Sequence, residues 1–362
     1  MEKRIFERIN PGANLPDIRK LPTDKLSSWL ESQGERSFRA RQIEEWLWKK
    51  SAKSFAEMTN LSLKIRTLLD EHYAIYPIET ASAQKSSDGT IKSAFRLSDG
   101  NLVEGVLIPA PNRMTACVSS QVGCSLSCKF CATGYMERMR NLDAAEIYDQ
   151  VVSIAKQAEA EYNHPLTNIV YMGMGEPLLN YANVLKSIEL ITSPNGLGMS
   201  PRRITVSTAG IAKMIRRLGD EEVRFRLALS LHAANDQKRS QIMPINETNT
   251  LENLASALNY FHEKTGNRIT LEYIIFDKFN DSLDDARELY AFTKQVPARV
   301  NIIEYNPIQE ADFQNAAVDR VEKFAHFLEQ KGVVVNVRRS RGKDIDAACG
   351  QLANKSKNVT TL

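Results

Sequence analysis

Cys124, Cys128 and Cys131 stand in the spacing C-x3-C-x2-C, inside the run Gly123-Cys-Ser-Leu-Ser-Cys-Lys-Phe-Cys-Ala132, and are three of the chain's five cysteines. Three soft thiolates that close in sequence can wrap one compact inorganic centre. A 4Fe–4S cube has four irons and usually takes four cysteine ligands, so three ligands leave one iron open to a substrate. Structural zinc is the competing reading, but its sites are closed, usually by paired C-x2–4-C knuckles with a fourth Cys or His. No second pair of that kind occurs in the chain. The spacing therefore points to an iron–sulfur cluster with a vacant corner. Cys117 lies seven residues before Cys124, and Cys349 sits in a basic loop beside Gly350. Free cysteines are often just small buried apolar residues. Close to positive charge, however, a thiol ionises more readily and becomes a nucleophile.

Such a centre needs a scaffold that brings loops together. From residue 114 onward apolar strands alternate with amphipathic helices: strands are expected near 115–119, 168–172, 203–207, 224–230, 269–276 and 299–304. Helices are expected over 144–161, 181–192, 212–218, 251–264, 282–295 and 317–330, with a late strand at 333–338. Repeated βα units imply parallel strands. Six units predict an α/β fold, an open partial (β/α)6 barrel rather than a closed eightfold one. Before it, residues 90–108 alternate in polarity around a Ser98-Asp-Gly-Asn turn and read as a β-hairpin covering the entry to the next domain. Residues 1–75 read as a small helical accessory domain. Phe38, Ile43, Trp46 and Leu47 fall near helical spacing, and Trp46 and Trp48 read as core. The expected division is thus 1–75, 76–113, 114–345 and a C-terminal loop, 346–362, carrying Cys349.

In parallel βα folds active groups gather at the C-terminal ends of the strands. The cysteine loop follows the first expected strand and Met172-Gly-Met-Gly-Glu-Pro177 the second. Ser207-Thr208 ends the third, Ser230-Leu231-His232 the fourth, and Tyr305-Asn306-Pro307 follows the sixth. Glycine lets backbone approach a ligand closely, and a carboxylate such as Glu176 accepts hydrogen bonds from an ammonium group. His72, His164, His262 and His326 carry no such expectation.

The three-cysteine motif resembles the signature of the radical S-adenosylmethionine enzymes. With Cys117-Val-Ser-Ser-Gln-Val-Gly-Cys124, Met172-Gly-Met-Gly-Glu-Pro-Leu-Leu-Asn180, Ser230-Leu-His-Ala233 and Ala348-Cys-Gly-Gln-Leu352, the resemblance narrows to the RlmN/Cfr group of RNA adenosine methyltransferases, on its RlmN side. It implies one 4Fe–4S cluster on Cys124, Cys128 and Cys131, with S-adenosylmethionine on the fourth iron. It places Gly175, Glu176, Ser207, Ser230, Leu231, His232 and Asn306 around that cofactor. It also implies a use for the other two thiols. Carbon 2 of adenine lies between two ring nitrogens and is too electron-poor to attack a sulfonium methyl. In the implied route Cys349 first takes a methyl group, a deoxyadenosyl radical removes hydrogen from it, and the carbon radical adds to the base. Cys117 then attacks the Cys349 sulfur, releasing methylated RNA and leaving a disulfide. Glu104 matches the group's proton-accepting glutamate.

The implied substrates are 23S ribosomal RNA, in the peptidyl-transferase region, and transfer RNA, beside the anticodon. Methylation at carbon 8, and a radical enzyme acting on something other than RNA, are the alternatives, and a non-catalytic metal-bearing RNA-binding module is a third. Composition is permissive. The 362 residues are 43% hydrophobic and 25% charged, with a net charge of +3, as in an ordinary soluble protein. No apolar run approaches the length of a membrane span, and the N-terminus lacks the apolar stretch of a secretory signal. A cytoplasmic location, where thiols stay reduced, is expected, with a flavodoxin-type reductant and a monomeric chain. Residues 331–362 hold 7 Lys and Arg against 2 Asp and Glu, and residues 1–75 hold 14 against 11. The tail is the more basic, a weak pointer to RNA.

Overall fold

The computed structural model describes residues 15–354. The reading of residues 1–8 as lacking a signal, the rest of the first 14 residues, and the tail from 355 with Lys355 and Lys357 lie outside the described residues. A single sheet of ten strands runs through the chain. Its antiparallel part is β1 (Glu79–Lys85), β2 (Ile91–Arg96), β3 (Leu102–Ala110) and β4 (Arg113–Cys117). A two-stranded ribbon, β5 (Gln121–Val122) with β6 (Arg140–Asn141), brackets the cysteine loop. The parallel part adds β7 (Asn168–Tyr171), β8 (Ile204–Thr208), β9 (Arg226–Ser230), β10 (Ile269–Ile275), β11 (Ala298–Glu304) and β12 (Val335–Arg338). The spatial order is β1-β2-β3-β4-β7-β8-β9-β10-β11-β12, with every pair from β4 onward parallel.

After β4 and each of β7 to β11 the chain returns through a helix. These are α4 (Ala144–Tyr162), α5 (Tyr181–Thr192), α6 (Ala212–Asp220), α8 (Leu251–Thr265), α9 (Leu283–Gln295) and α10 (Val318–Gln330). A short extra helix, α7 (Asp236–Ile242), precedes α8 and was not signalled by the alternation. The central parallel strands are largely buried, β10 along its whole length, while the edge strand β12 is more open. That is why they read as near-continuous apolar runs. Two capping boxes set helix starts, Asp143 with Glu146 on α4 and Ser282 with Asp285 on α9. Among the described residues no helix is long and apolar enough to cross a membrane.

The hairpin forms as β2 and β3. It is continuous with the barrel sheet, because β3 pairs with β4 from Val106–Cys117 to Ala110–Arg113 and so extends the sheet sideways. A third strand, β1, joins it.

The N-terminal segment forms α1 (Thr23–Ser32), α2 (Phe38–Glu44) and α3 (Leu63–His72) around Leu26, Leu30, Ile43, Leu47, Ile65 and Leu69. A π-helical turn over Glu45–Lys49 follows α2, with Lys50 N–H donating to Glu45 O at 3.1 Å. The extra residue in that turn rotates the stripe. Trp48 is therefore buried against Tyr148, whereas Trp46 is half-buried and Phe38 is exposed, contrary to the expected stripe. Arg19 ties this segment to α4: its guanidinium lies 2.8 Å from both Asp17 and Asp149 and donates to Tyr76 O at 2.6 Å. Removing one partner from such a buried ion pair costs about 3–5 kcal/mol.

Candidate active site

The C-terminal strand ends surround a solvent-open cavity of ≈ 160 Å³. Cys124, Cys128 and Cys131 all line it, together with Gly173, Gly175, Glu176, Ser207, Ser230, His232 and Cys349. The cysteine loop is held by short backbone bonds, Cys131 N–H to Cys128 O (3.2 Å) and Gly134 N–H to Cys131 O (2.8 Å). Burial, reinforced by the neighbouring Cys131 and Glu176 charges, pushes the Cys124 thiol up to about 11. Cys128 is raised by burial and then by the other two thiols, and Cys131 by burial. Bound iron supplies the positive charge that reverses this and deprotonates coordinating thiols. Among the described residues no three His, Cys, Asp or Glu side chains close on a single metal ion. The thiols stand instead around a shared cavity, and three soft donors around a common space fit a polynuclear iron–sulfur centre.

Gly173 and Gly175 line the cavity, and what excludes a side chain at each is the neighbouring chain around β4 and β5. A Cβ on Gly173 would lie 2.7 Å from the Ser119 hydroxyl, and one on Gly175, at φ +94°, would lie 2.5 Å from Gln121 Cβ. Both positions therefore exclude any side chain. Glu176 is buried and already engaged. Its Oε1 accepts from Leu178 N–H at 3.0 Å and its Oε2 from Ala209 N–H at 2.8 Å, joining the loop after β7 to the end of β8. Burial raises its pKa against the pull of those amides. Each oxygen keeps a second lone pair for a ligand. Ser207 and Ser230 face each other across the cavity wall at 3.3 Å.

His232 adopts a left-handed backbone, φ +57°. Its Nδ1 accepts from Ile274 N–H at 3.0 Å, which assigns the proton to Nε2 and leaves a donor for whatever fills the cavity. The ring stands edge-on to Phe130, 4.7 Å between centroids. Burial, with Arg239 nearby, pulls its pKa down to about 3 from 6.5. The native state thus holds it neutral while the unfolded chain protonates it below about pH 6.5. Between about pH 3 and 6.5 the unfolded state binds the extra proton, so stability is lost as pH falls. The metal-free protein should lose up to about 1.4 kcal/mol per pH unit from this group. His232→Asn, which retains an acceptor for Ile274, should flatten that component in urea melts taken from pH 7 to pH 5. An unchanged slope would contradict the assignment.

Leu231 is buried in the core and is not part of the cavity wall. Asn306 touches the site through Cys349: its Nδ2 donates to Cys349 O at 3.2 Å, while its Oδ1 is buried without a partner. Cys117 is buried at the end of β4, and burial, with the Cys349 charge, opposes its ionisation. No disulfide joins them: all five cysteines are free thiols. The basic surroundings of Cys349 do not lower its pKa as anticipated. Although the residue is exposed, desolvation of its thiol by the surrounding cavity wall outweighs Arg338 and raises it. Three of the tail's described cations are also in ion pairs, Arg338 with Glu272 at 3.6 Å, Arg341 with Asp88 at 3.6 Å and Lys343 with Glu304 at 2.5 Å. Glu104 is buried but is absent from the cavity wall; its carboxylate meets the chain beyond Cys349.

The sequence reading missed four residues of importance. Glu272 and Arg338 line the cavity from β10 and β12, and an alternation of buried charge within strands was the only signal. Phe130 lies inside the cysteine motif and packs on His232 and Phe276. Arg239, fully buried on α7, donates to Leu231 O (3.1 Å), Ala209 O (2.5 Å), Ser230 O (3.2 Å) and Asn246 Oδ1 (2.7 Å). It laces the ends of β8 and β9 together.

Comparison with known proteins agrees with this geometry. The family described as "Ribosomal RNA large subunit methyltransferase N-terminal domain" matches residues 14–75, and "Radical SAM superfamily" matches residues 118–291. The probable dual-specificity RNA methyltransferase RlmN of Cytophaga hutchinsonii is 63% identical over 93% of this chain and 93% of its own length. The dual-specificity RNA methyltransferase RlmN of an Anaeromyxobacter species is 44% identical over 93% of this chain and 90% of its own. The crystal structure of a radical SAM methyltransferase from Sphaerobacter thermophilus superposes with a TM-score of 0.87 at 40% identity, covering 93% of this chain and 99% of that one. With its cysteine-lined barrel mouth and its matching N-terminal helical segment, the chain belongs to the RlmN family of radical SAM RNA methyltransferases.

Proposed function

We propose that this protein methylates carbon 2 of adenosine in 23S ribosomal RNA and in transfer RNA, passing the methyl group through Cys349. The observation that carries the reading is the exposed Cys349 in the same cavity wall as Cys124, Cys128 and Cys131. When bound, a 4Fe–4S cluster with an open iron supplies the electron that cleaves S-adenosylmethionine to a 5′-deoxyadenosyl radical. Cys124, Cys128 and Cys131 hold the cluster. Glycines 173 and 175 let the loop after β7 pack tightly on Ser119 and Gln121 beside the cavity, Glu176, Ser207 and Ser230 present acceptors, and His232 presents its Nε2–H. Cys349 carries the methyl group to an electron-poor carbon that cannot attack a sulfonium itself. Cys117, buried at the end of β4, serves the release of the product.

The described chain acts as a monomer in the cytoplasm, reduced by a flavodoxin-type partner. The reading is tested by anaerobically reconstituting the protein with iron and sulfide and incubating it with RNA, labelled cofactor and a reductant. Nucleoside mass spectrometry should find 2-methyladenosine in both RNA classes. Labelled 8-methyladenosine alone would reassign the carbon. Cofactor cleavage with no label in either RNA would move the enzyme to another substrate class.

A further inference from the structure

Glu272, in the middle of β10, and Arg338, at the end of β12, both line the cavity. In register Glu272 stands level with Ser230 of β9 and Asn301 of β11. The residue is 5% exposed, a costly place for a carboxylate unless it is hydrogen-bonded. Its Oε1 accepts from Asn301 Nδ2 at 2.8 Å. Its Oε2 is buried with no hydrogen-bond partner. Arg338 Nη1 stands 3.6 Å from that oxygen, an ion pair too long to be a hydrogen bond. The Arg338 side chain is 39% exposed, so its guanidinium is free to turn toward an occupant. Burial raises the pKa of Glu272, against the pull of Arg338, Asn301 and Arg299. A donor arriving with a ligand satisfies the orphaned oxygen and favours the charged form.

The pair thus offers an acceptor and a donor side by side. Adenine presents the complement along one edge, an N6 amino donor next to the N7 acceptor. Guanine presents two acceptors there, N7 and O6, so its O6 would face the carboxylate with no proton between them. The proposed reaction brings two adenines into the site, one in the cofactor and one in the RNA. Cys349 favours the second. It lines the same cavity, and although desolvation dominates at its thiol, the charges of Arg338 and Glu272 both reach it. The base to be methylated must meet that sulfur. A grip on N6 and N7 leaves carbon 2, across the ring, unobstructed.

We propose that Glu272 and Arg338 are the specificity-determining pair for the target base: the carboxylate accepts from the N6 amino group of the RNA adenine, and the guanidinium donates to its N7. This rests on the reading of the protein as an adenosine methyltransferase acting through Cys349. The test uses an anticodon-arm RNA with adenosine, purine riboside (no amino group) or inosine (O6 in its place) at the target position. Binding to full-length reconstituted protein is read by competition against a fluorescent RNA, and methylation as kcat/KM. Wild type should favour adenosine over purine riboside about tenfold or more in both, the worth of one hydrogen bond to a charged group. Glu272→Ala should bring that ratio close to one, whereas general damage to the fold would weaken both RNAs alike. Glu272→Gln retains an oxygen for Asn301 and so turns its NH2 toward the base. Its preference should shift from adenosine toward inosine about tenfold or more. The affinity for S-adenosylmethionine, measured by equilibrium dialysis without RNA, should stay near that of wild type in both variants.

Equal treatment of adenosine and purine riboside by the wild type overturns the proposal, as does a full wild-type ratio in Glu272→Ala. Cofactor affinity that falls in Glu272→Ala while the RNA ratio persists assigns the carboxylate to S-adenosylmethionine, and overturns it as well. Should Glu272→Ala fail to fold, Glu272→Gln decides by the same ratios, and the wild-type comparison needs no variant. A wild-type protein that methylates none of these RNAs would defeat the proposed function, while the binding ratios would still judge the pair.

Discussion

Cys128→Ala should yield a folded protein that has lost its iron. The residue is only partly buried and borders a small apolar cluster of Phe130, Ile242, Met243 and Phe276. Removing one sulfur there costs about 1 kcal/mol of stability. Beside the three loop thiols, however, the cavity wall holds only Cys349, which the proposed reaction uses as methyl carrier. With one donor gone, two thiolates must hold a cluster already short of one ligand. Iron and acid-labile sulfide should therefore drop to background after anaerobic reconstitution, and reduction should give no cluster signal in electron paramagnetic resonance. Cofactor cleavage and RNA methylation should fall by about 10³-fold or more, since the interaction removed is indispensable rather than additive. Circular dichroism should show a melting curve near that of wild type. A variant that keeps its cluster and turns over normally would remove Cys128 from the ligand set.

Cys349→Ala should split the activity that Cys128→Ala abolishes outright. Cys349 is exposed on the wall and outside the three-cysteine loop, so its removal leaves the cluster site and its packing intact. Iron content and cofactor binding should match wild type. Methylation should be undetectable, a loss of about 10³-fold or more, because no other exposed cysteine borders the cavity. The buried thiol behaves differently. Cys117→Ala keeps the carrier thiol and should arrest the reaction with RNA attached to protein, visible as a shifted band that survives denaturation and disappears with nuclease. Methylation surviving Cys349→Ala would show that the methyl group travels without this thiol.

Much of this site was legible before any coordinates. The spacing of Cys124, Cys128 and Cys131 depends on one short loop, and ligand geometry is a local property. Gly173, Gly175, Ser207 and Ser230 fell at strand ends because period and length mark where a strand stops. The six βα units followed for the same reason, with bounds shifted by a residue or two, as at β4 and β12. Local pattern misled where a backbone irregularity changed the phase. Phe38 lies off the helix face that Ala40 and Ile43 bury, and the π-helical turn after α2 buries Trp48. For the hairpin the pattern stopped short: its strands are written in the chain while their sheet partner is not.

The chain by itself therefore determined the donor set, the repeating units and the order of the loops, all of which arise from residues within a few positions of one another. Only the tertiary structure decided what meets what across long separations. It brought Glu104 to an amide 249 residues away and fully buried Arg239 under two strand ends. It also set desolvation against Arg338 at the Cys349 thiol, with desolvation prevailing. Side-chain type reveals that a group can donate, accept or ionise. Which partner compensates its loss of water is settled only when distant segments pack, because the cost of burial depends on everything within hydrogen-bonding reach.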